Sequence, residues 1–113
     1  MKPRIRKLAG LKEEHFGEIF RQVFFSPETT GNRYLKMAYI DVPPGATGTP
    51  HVHLGEELVY TIKGKAALTI DGKDHLLEEG TCFLIPPDVE HRPGWWGMRT
   101  GWRWPPTAMN VRC

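Results

Sequence analysis

Glycine and proline punctuate this chain so densely that long regular elements have no room to form. Twelve glycines and ten prolines fall among 113 residues. Many gather into turn signals: Pro43-Pro44-Gly45, Gly48-Thr49-Pro50, Asp71-Gly72, Pro86-Pro87-Asp88 and Pro93-Gly94. Proline fixes φ and removes a backbone donor, whereas glycine and aspartate accept turn conformations that other residues resist. The runs between these stops are of strand length, and residues 33–42 are rich in aromatic and β-branched side chains. Residues 58–62 and 66–70 flank Lys63-Gly64-Lys65 as a hairpin, and Asp71-Gly72 joins 66–70 to 74–77 with the strongest hairpin signal in the chain. Residues 81–85 form an apolar strand stopped by Pro86. Many short strands at near-regular spacing predict an all-β fold, an antiparallel barrel or sandwich.

Two segments resist this pattern. Phe16, Ile19, Phe20, Val23 and Phe24 recur at helical spacing, but the β-rich context favours a strand, and a strand is expected. The tail, 95–113, holds all four tryptophans (Trp95, Trp96, Trp102 and Trp104) and Pro105-Pro106. Past Met98 it shows no period-2 alternation over a full strand, so it reads as a Trp- and Pro-rich tail of undetermined structure. A barrel nevertheless needs a closing strand there, or its edge stays open. The tryptophans are expected in the core or at an interface.

The length suits one domain, residues 1–113. With 40% hydrophobic and 25% charged residues, the composition is that of a globular domain. A net charge of +2 implies no polyanionic partner. The basic start, Lys2, Arg4, Arg6 and Lys7, is expected to be part of a loose arm over 1–12 rather than a nucleic-acid-binding element. Two cysteines exclude a disulfide framework, and Cys82, inside an apolar run, is expected to be a buried thiol. No secretory leader or bilayer-length apolar run is visible, so a cytoplasmic protein without membrane contact is expected.

The chemistry lies in residues 45–57. In an extended strand, side chains two apart share a face, so His51 and His53 point the same way. Glu57 has the same parity and joins them if the strand continues or bends slightly. Two imidazoles and a carboxylate on one face suit Fe(II), Mn(II), Ni(II), Cu(II) or Zn(II), with positions left for water or substrate. His91 follows the turn at Pro86-Pro87-Asp88, where a neighbouring strand can bring it in as a fourth ligand.

These residues carry a family resemblance. Residues 45–64 fit the first cupin motif, G-x5-H-x-H-x3-E-x6-G, at every fixed position. Residues 80–91, GTCFLIPPDVEH, resemble the second motif, G-x5-P-x-G-x2-H-x3-N, at Gly80, Pro86 and His91. Asp88 stands where the motif has Gly, and tolerates the left-handed turn that position needs; Trp95 stands where it has Asn. The resemblance implies a double-stranded β-helix (jelly-roll) barrel with His51, His53, Glu57 and His91 as metal ligands. It also implies pairing into a homodimer, for which the aromatic stretch 16–25 supplies apolar area.

Other candidates have plainer roles. His15 and His75 are expected to lie outside the site, Tyr34, Tyr39 and Tyr60 to pack on strands, and Glu56 to face solvent. Arg92 and Arg99 are placed to meet an anionic substrate at a barrel mouth. The first functional expectation is a small metal-dependent enzyme acting on an oxygen-rich small molecule, of dioxygenase, isomerase or lyase type. The alternative is a non-catalytic metal- or ligand-binding module, a sensor or accessory subunit.

Overall fold

In the computed structural model, which describes residues 2–95 and 108–112, turn chemistry cuts the chain into nine strands. They are β1 (Glu13–Phe16), β2 (Ile19–Phe25), β3 (Lys36–Asp41), β4 (Glu57–Thr61), β5 (Lys65–Ile70), β6 (Lys73–Glu78), β7 (Cys82–Ile85), β8 (His91–Trp95) and β9 (Ala108–Arg112). Six form one sheet in the order β1-β2-β3-β9-β4-β7, and three form a second in the order β6-β5-β8. Every pairing is antiparallel. This is the jelly-roll arrangement expected. Among the described residues no helix is long and apolar enough to cross a membrane.

Local chemistry explains the turns. Asp71 and Gly72 both take positive φ, 50° and 74°, as a two-residue primed hairpin between β5 and β6 requires. Ser26 caps the single helical turn α1 (Pro27–Thr30): its hydroxyl accepts from the Thr29 N–H at 3.0 Å, and Gly31 closes the turn at φ 71°.

The segment with helical spacing is indeed extended. It is two strands, β1 and β2, joined at Gly17-Glu18, with a register shift between Val23 and Phe25. The turn and the bulge generate the false period. The tail also contains a strand. Residues 108–112 form β9, whose Met109-Asn110-Val111-Arg112 alternates over four residues only; it lies between β3 and β4 and is paired along both edges. The expectations for 96–107, which include Trp96, Arg99, Trp102 and Trp104, lie outside the described residues, as does Cys113. Cys82 corrects the sequence reading: it is exposed. Strand β7 alternates, so Ile85 and partly buried Phe83 pack inward while Cys82 and Leu84 share the outer face.

The core fills the space between the sheets. Val59, Ala66, Leu68, Leu77 and Ile85 form one buried cluster; Ile19, Val42 and Ala46 form a second, and Ile40 packs against both. Burying such side chains contributes about 1.5–3 kcal/mol each for the larger ones. Two isolated bridges, Thr47↔Gly94 and His51↔His91, tie the 42–51 connection to β8. The stretch 2–12 is mostly exposed but has anchors: Arg6 donates to the Phe24 carbonyl at 2.9 Å, Arg4 to that of Thr30, and Gln22 to those of Leu8 and Leu11.

Candidate metal centre

Backbone pairing brings the predicted ligands together. The His51 N–H donates to the His91 carbonyl at 3.0 Å, and the His91 N–H returns the bond to His51 at 3.0 Å. His51 thus stands beside the first residue of β8, with the two rings 4.1 Å apart. The run 51–57 is not one continuous strand. It bends between His53 and β4, so Glu57 enters the site as the first residue of β4. The bend is held where the Asp88 N–H donates to the His53 carbonyl at 2.7 Å. Asp88 takes φ 62°, the left-handed conformation anticipated for this departure from the glycine pattern.

The side chains converge. Glu57 Oε1 lies 2.9 Å from His53 Nε2 and 3.3 Å from His91 Nε2. One ligand atom from each of His51, His53, Glu57 and His91 lies within 4.8 Å of the others. Glu57 and His91 are 3% and 2% exposed, whereas His51 and His53 are half-buried. The opening of the site is therefore on the His51/His53 side.

This donor set passes a test of fit for a transition metal. Ligands about 2.1 Å from an ion stand about 3 Å apart when adjacent and about 4.2 Å apart when opposite. The observed separations match the adjacent spacing, and the 4.8 Å span is close to the opposite one. The hydrogen bonds of the outer ring nitrogens also orient the rings for coordination. His51 Nδ1 lies 2.8 Å from the Thr49 carbonyl and His91 Nδ1 lies 3.0 Å from the Val89 carbonyl. A carbonyl accepts only from N–H, so both rings carry the proton on Nδ1 and present the Nε2 lone pair inward. A buried carboxylate, 3% exposed, is costly unless matched by positive charge, which a bound cation supplies.

Beside the cluster lies a small apolar cavity of about 40 Å³, lined by Ile40, Val42, Val59, Leu68, Ile85 and Phe16 among others, together with His51, Glu57 and His91. Phe16 meets the His51 ring edge-on at 4.6 Å, and the Arg21 guanidinium lies 5.8 Å from the Phe16 ring centre. In the sequence, Phe16 stood out only as part of an aromatic stretch, and Arg21 was not singled out. The available signal was parity: Arg21 alternates with Ile19 and Val23 on β2, a charge on an otherwise apolar face. Among the duller candidates, Glu56, Tyr34, Tyr60 and Arg92 are exposed. The His15 ring contacts Phe20 and that of His75 contacts Phe83, and neither belongs to the cluster.

The fold and the converging histidines agree with a family match: a cupin domain model fits residues 38–98. The chain belongs to the cupin domain family. This cupin is 35% identical over 72 residues to protein SchB of Streptomyces halstedii, a match covering 63% of the chain and 52% of SchB. It is 26% identical over 93 residues to polyketide synthase CurC of Streptomyces cyaneus, covering 81% of the chain and 60% of CurC. It therefore spans only about half to three-fifths of the length of these relatives. Among solved structures it resembles the polyketide cyclase RemF of Streptomyces resistomycificus, with a TM-score of 0.71, 19% identity, and coverage of 99% of this chain and 78% of that one. At that identity the likeness is one of fold.

Proposed function

We propose that this cupin is a metal-dependent enzyme acting on a small poly-β-carbonyl compound of the kind that polyketide assembly produces. The observation that carries this reading is the convergence of three imidazoles and a buried carboxylate at the end of an apolar cavity. The similarity to CurC and to the cyclase RemF supports the substrate class. In this reading His51, His53, Glu57 and His91 are the ligands of one divalent transition metal: Fe, Mn, Ni, Zn or Cu. Such an ion supplies Lewis acidity toward the oxygens of a 1,3-dicarbonyl, which favours its enolate.

The chain's own residues do the rest. The Thr49 and Val89 carbonyls fix the tautomers of His51 and His91. Val59, Leu68 and Ile85 exclude water from the inner side of the site, which strengthens its electrostatics. Half-buried Phe16, which meets His51 edge-on, provides an apolar wall beside the ligands for the methylene-linked carbonyl chain. The reaction is an intramolecular aldol condensation: an α-carbon loses a proton and bonds a carbonyl carbon, whose oxygen becomes a hydroxyl by taking up a proton, and that hydroxyl then leaves as water with the second α-hydrogen.

The test is incubation of metal-loaded protein with a synthetic poly-β-ketone, with products read by mass spectrometry. One cyclised, dehydrated product, lighter than the substrate by one water and enriched over the spontaneous mixture, is expected. A product distribution identical to that without protein contradicts the enzyme reading. Saturable binding without turnover assigns the alternative, a ligand-binding cupin module.

A further inference from the structure

We infer that Arg21 is a specificity-determining residue that receives a carboxylate carried by the substrate at a distance from its dicarbonyl group. This rests on the reading of the cluster as a metal site for dicarbonyl compounds. Arg21 lies at the junction of two spaces. It lines the apolar cavity beside His51 and Glu57, and it also lines a separate cleft of about 340 Å³ bounded by Glu14, Val23, Ser26, Lys36 and Ala38. A ligand anchored at the histidines and extending outward passes this side chain.

Arg21 is set up to receive an anion. One guanidinium nitrogen, Nη2, donates to Glu14 Oε2 at 2.9 Å, which fixes the plane of the group. The Phe16 ring, itself braced on His51, supports the guanidinium 5.8 Å from its centre. The Nε–H is buried, with no hydrogen-bond acceptor among the described residues. Buried donors are nearly always satisfied, and a guanidinium offers adjacent N–H groups whose geometry matches a carboxylate. Arg21 is the one charged residue on the face of β2 that carries Ile19 and Val23, and its cross-strand partner Glu14 engages only Nη2. Glu14 holds the guanidinium in place but also neutralises part of its charge, so it tempers the affinity of the site.

The test uses the full chain loaded with its metal, titrated by calorimetry with acetylacetone derivatives. One series carries a terminal carboxylate on methylene tethers of increasing length, and a matched series ends in a neutral amide. The wild type is expected to bind the best carboxylate roughly tenfold tighter than its amide. Arg21→Gln is expected to lose that preference while keeping its metal content and its affinity for the amide. Glu14→Gln is expected to bind the carboxylate several-fold tighter than wild type, a gain that misfolding cannot mimic. If no carboxylate is preferred, or if Glu14→Gln shows no gain, the role of Arg21 is overturned while the dicarbonyl site stands. If metal-loaded wild type binds neither series, both the inference and the proposed substrate class are overturned.

Discussion

Replacing Glu57 by glutamine separates the electrostatics of folding from those of metal binding. Glutamine keeps the shape and removes the charge. Glu57 is 3% exposed and sits 2.9 and 3.3 Å from two imidazole nitrogens. Without metal, the contacts of the carboxylate with the two imidazoles are offset in part by the cost of burying its charge, so removing the charge changes stability little. Metal-free Glu57→Gln is therefore expected to melt no more than about 4 °C below wild type, the shift that corresponds to about 1 kcal/mol in a domain of this size. With metal the order diverges. At a free metal concentration of about 100 times Kd, binding stabilises the wild type by about 2.7 kcal/mol, or roughly 11 °C. Losing the anionic ligand weakens binding by about 100-fold or more, which leaves about 0.4 kcal/mol, or roughly 2 °C. The assay is differential scanning fluorimetry of both proteins with and without metal. A Glu57→Gln protein with the full wild-type metal shift would refute Glu57 as a ligand.

Other consequences follow from packing and charge. A Cβ on Gly48 would meet Pro93 Cγ at 2.8 Å and Ile19 Cδ1 at 2.9 Å, so Gly48→Ala must push the 47–51 segment away from β8. It is expected to cost about 1–3 kcal/mol, or roughly 4–12 °C, and to weaken metal binding through His51; Gly10→Ala, which meets nothing, is the control and melts as wild type. Asp41 is held above the usual carboxylate range by burial and then by the charge of Glu13. The native state therefore holds that proton more tightly than the unfolded chain, and stability falls as pH rises from the ordinary aspartate value through the raised native one. Urea melts of Asp41→Asn should match wild type at about pH 3 and exceed it at neutral pH, whereas a variant less stable at neutral pH would contradict this. The homodimer is a proposal tested by light scattering, with twice the chain mass of 12.9 kDa expected and the single mass at micromolar concentration contradicting it.

Much of this arrangement was legible because a few residue types have narrow uses. Asp71-Gly72 named its hairpin, since few other pairs accept two positive φ values in succession. The His51, His53 and Glu57 spacing placed three donors together through strand parity. The actual path is different: a bend at 54–56, rather than a continuous strand, delivers Glu57. His91 was placed mostly by resemblance, because its position depends on a long-range bridge to His51 that local patterning does not encode. Strand β9 was missed because its alternation, Met109-Asn110-Val111-Arg112, is only four residues long and follows a Trp- and Pro-rich stretch, while the pairing that fixes it on both edges is long-range. Cys82 misled because an apolar run suggests burial, whereas strand alternation sends every second residue outward. Arg21, and the place of Phe16 beside His51, escaped notice because a bulge and a hairpin disguised β1 and β2 as a helical repeat.

The central claim is that His51, His53, Glu57 and His91 hold one metal ion. The most direct measurement is elemental analysis of untagged protein as purified, beside His51→Ala and Glu57→Ala prepared identically. About one equivalent of a transition metal per wild-type chain, largely lost from both variants while their folded structure persists by circular dichroism, is the predicted result. Equal metal content in all three proteins, whether low or high, would contradict it.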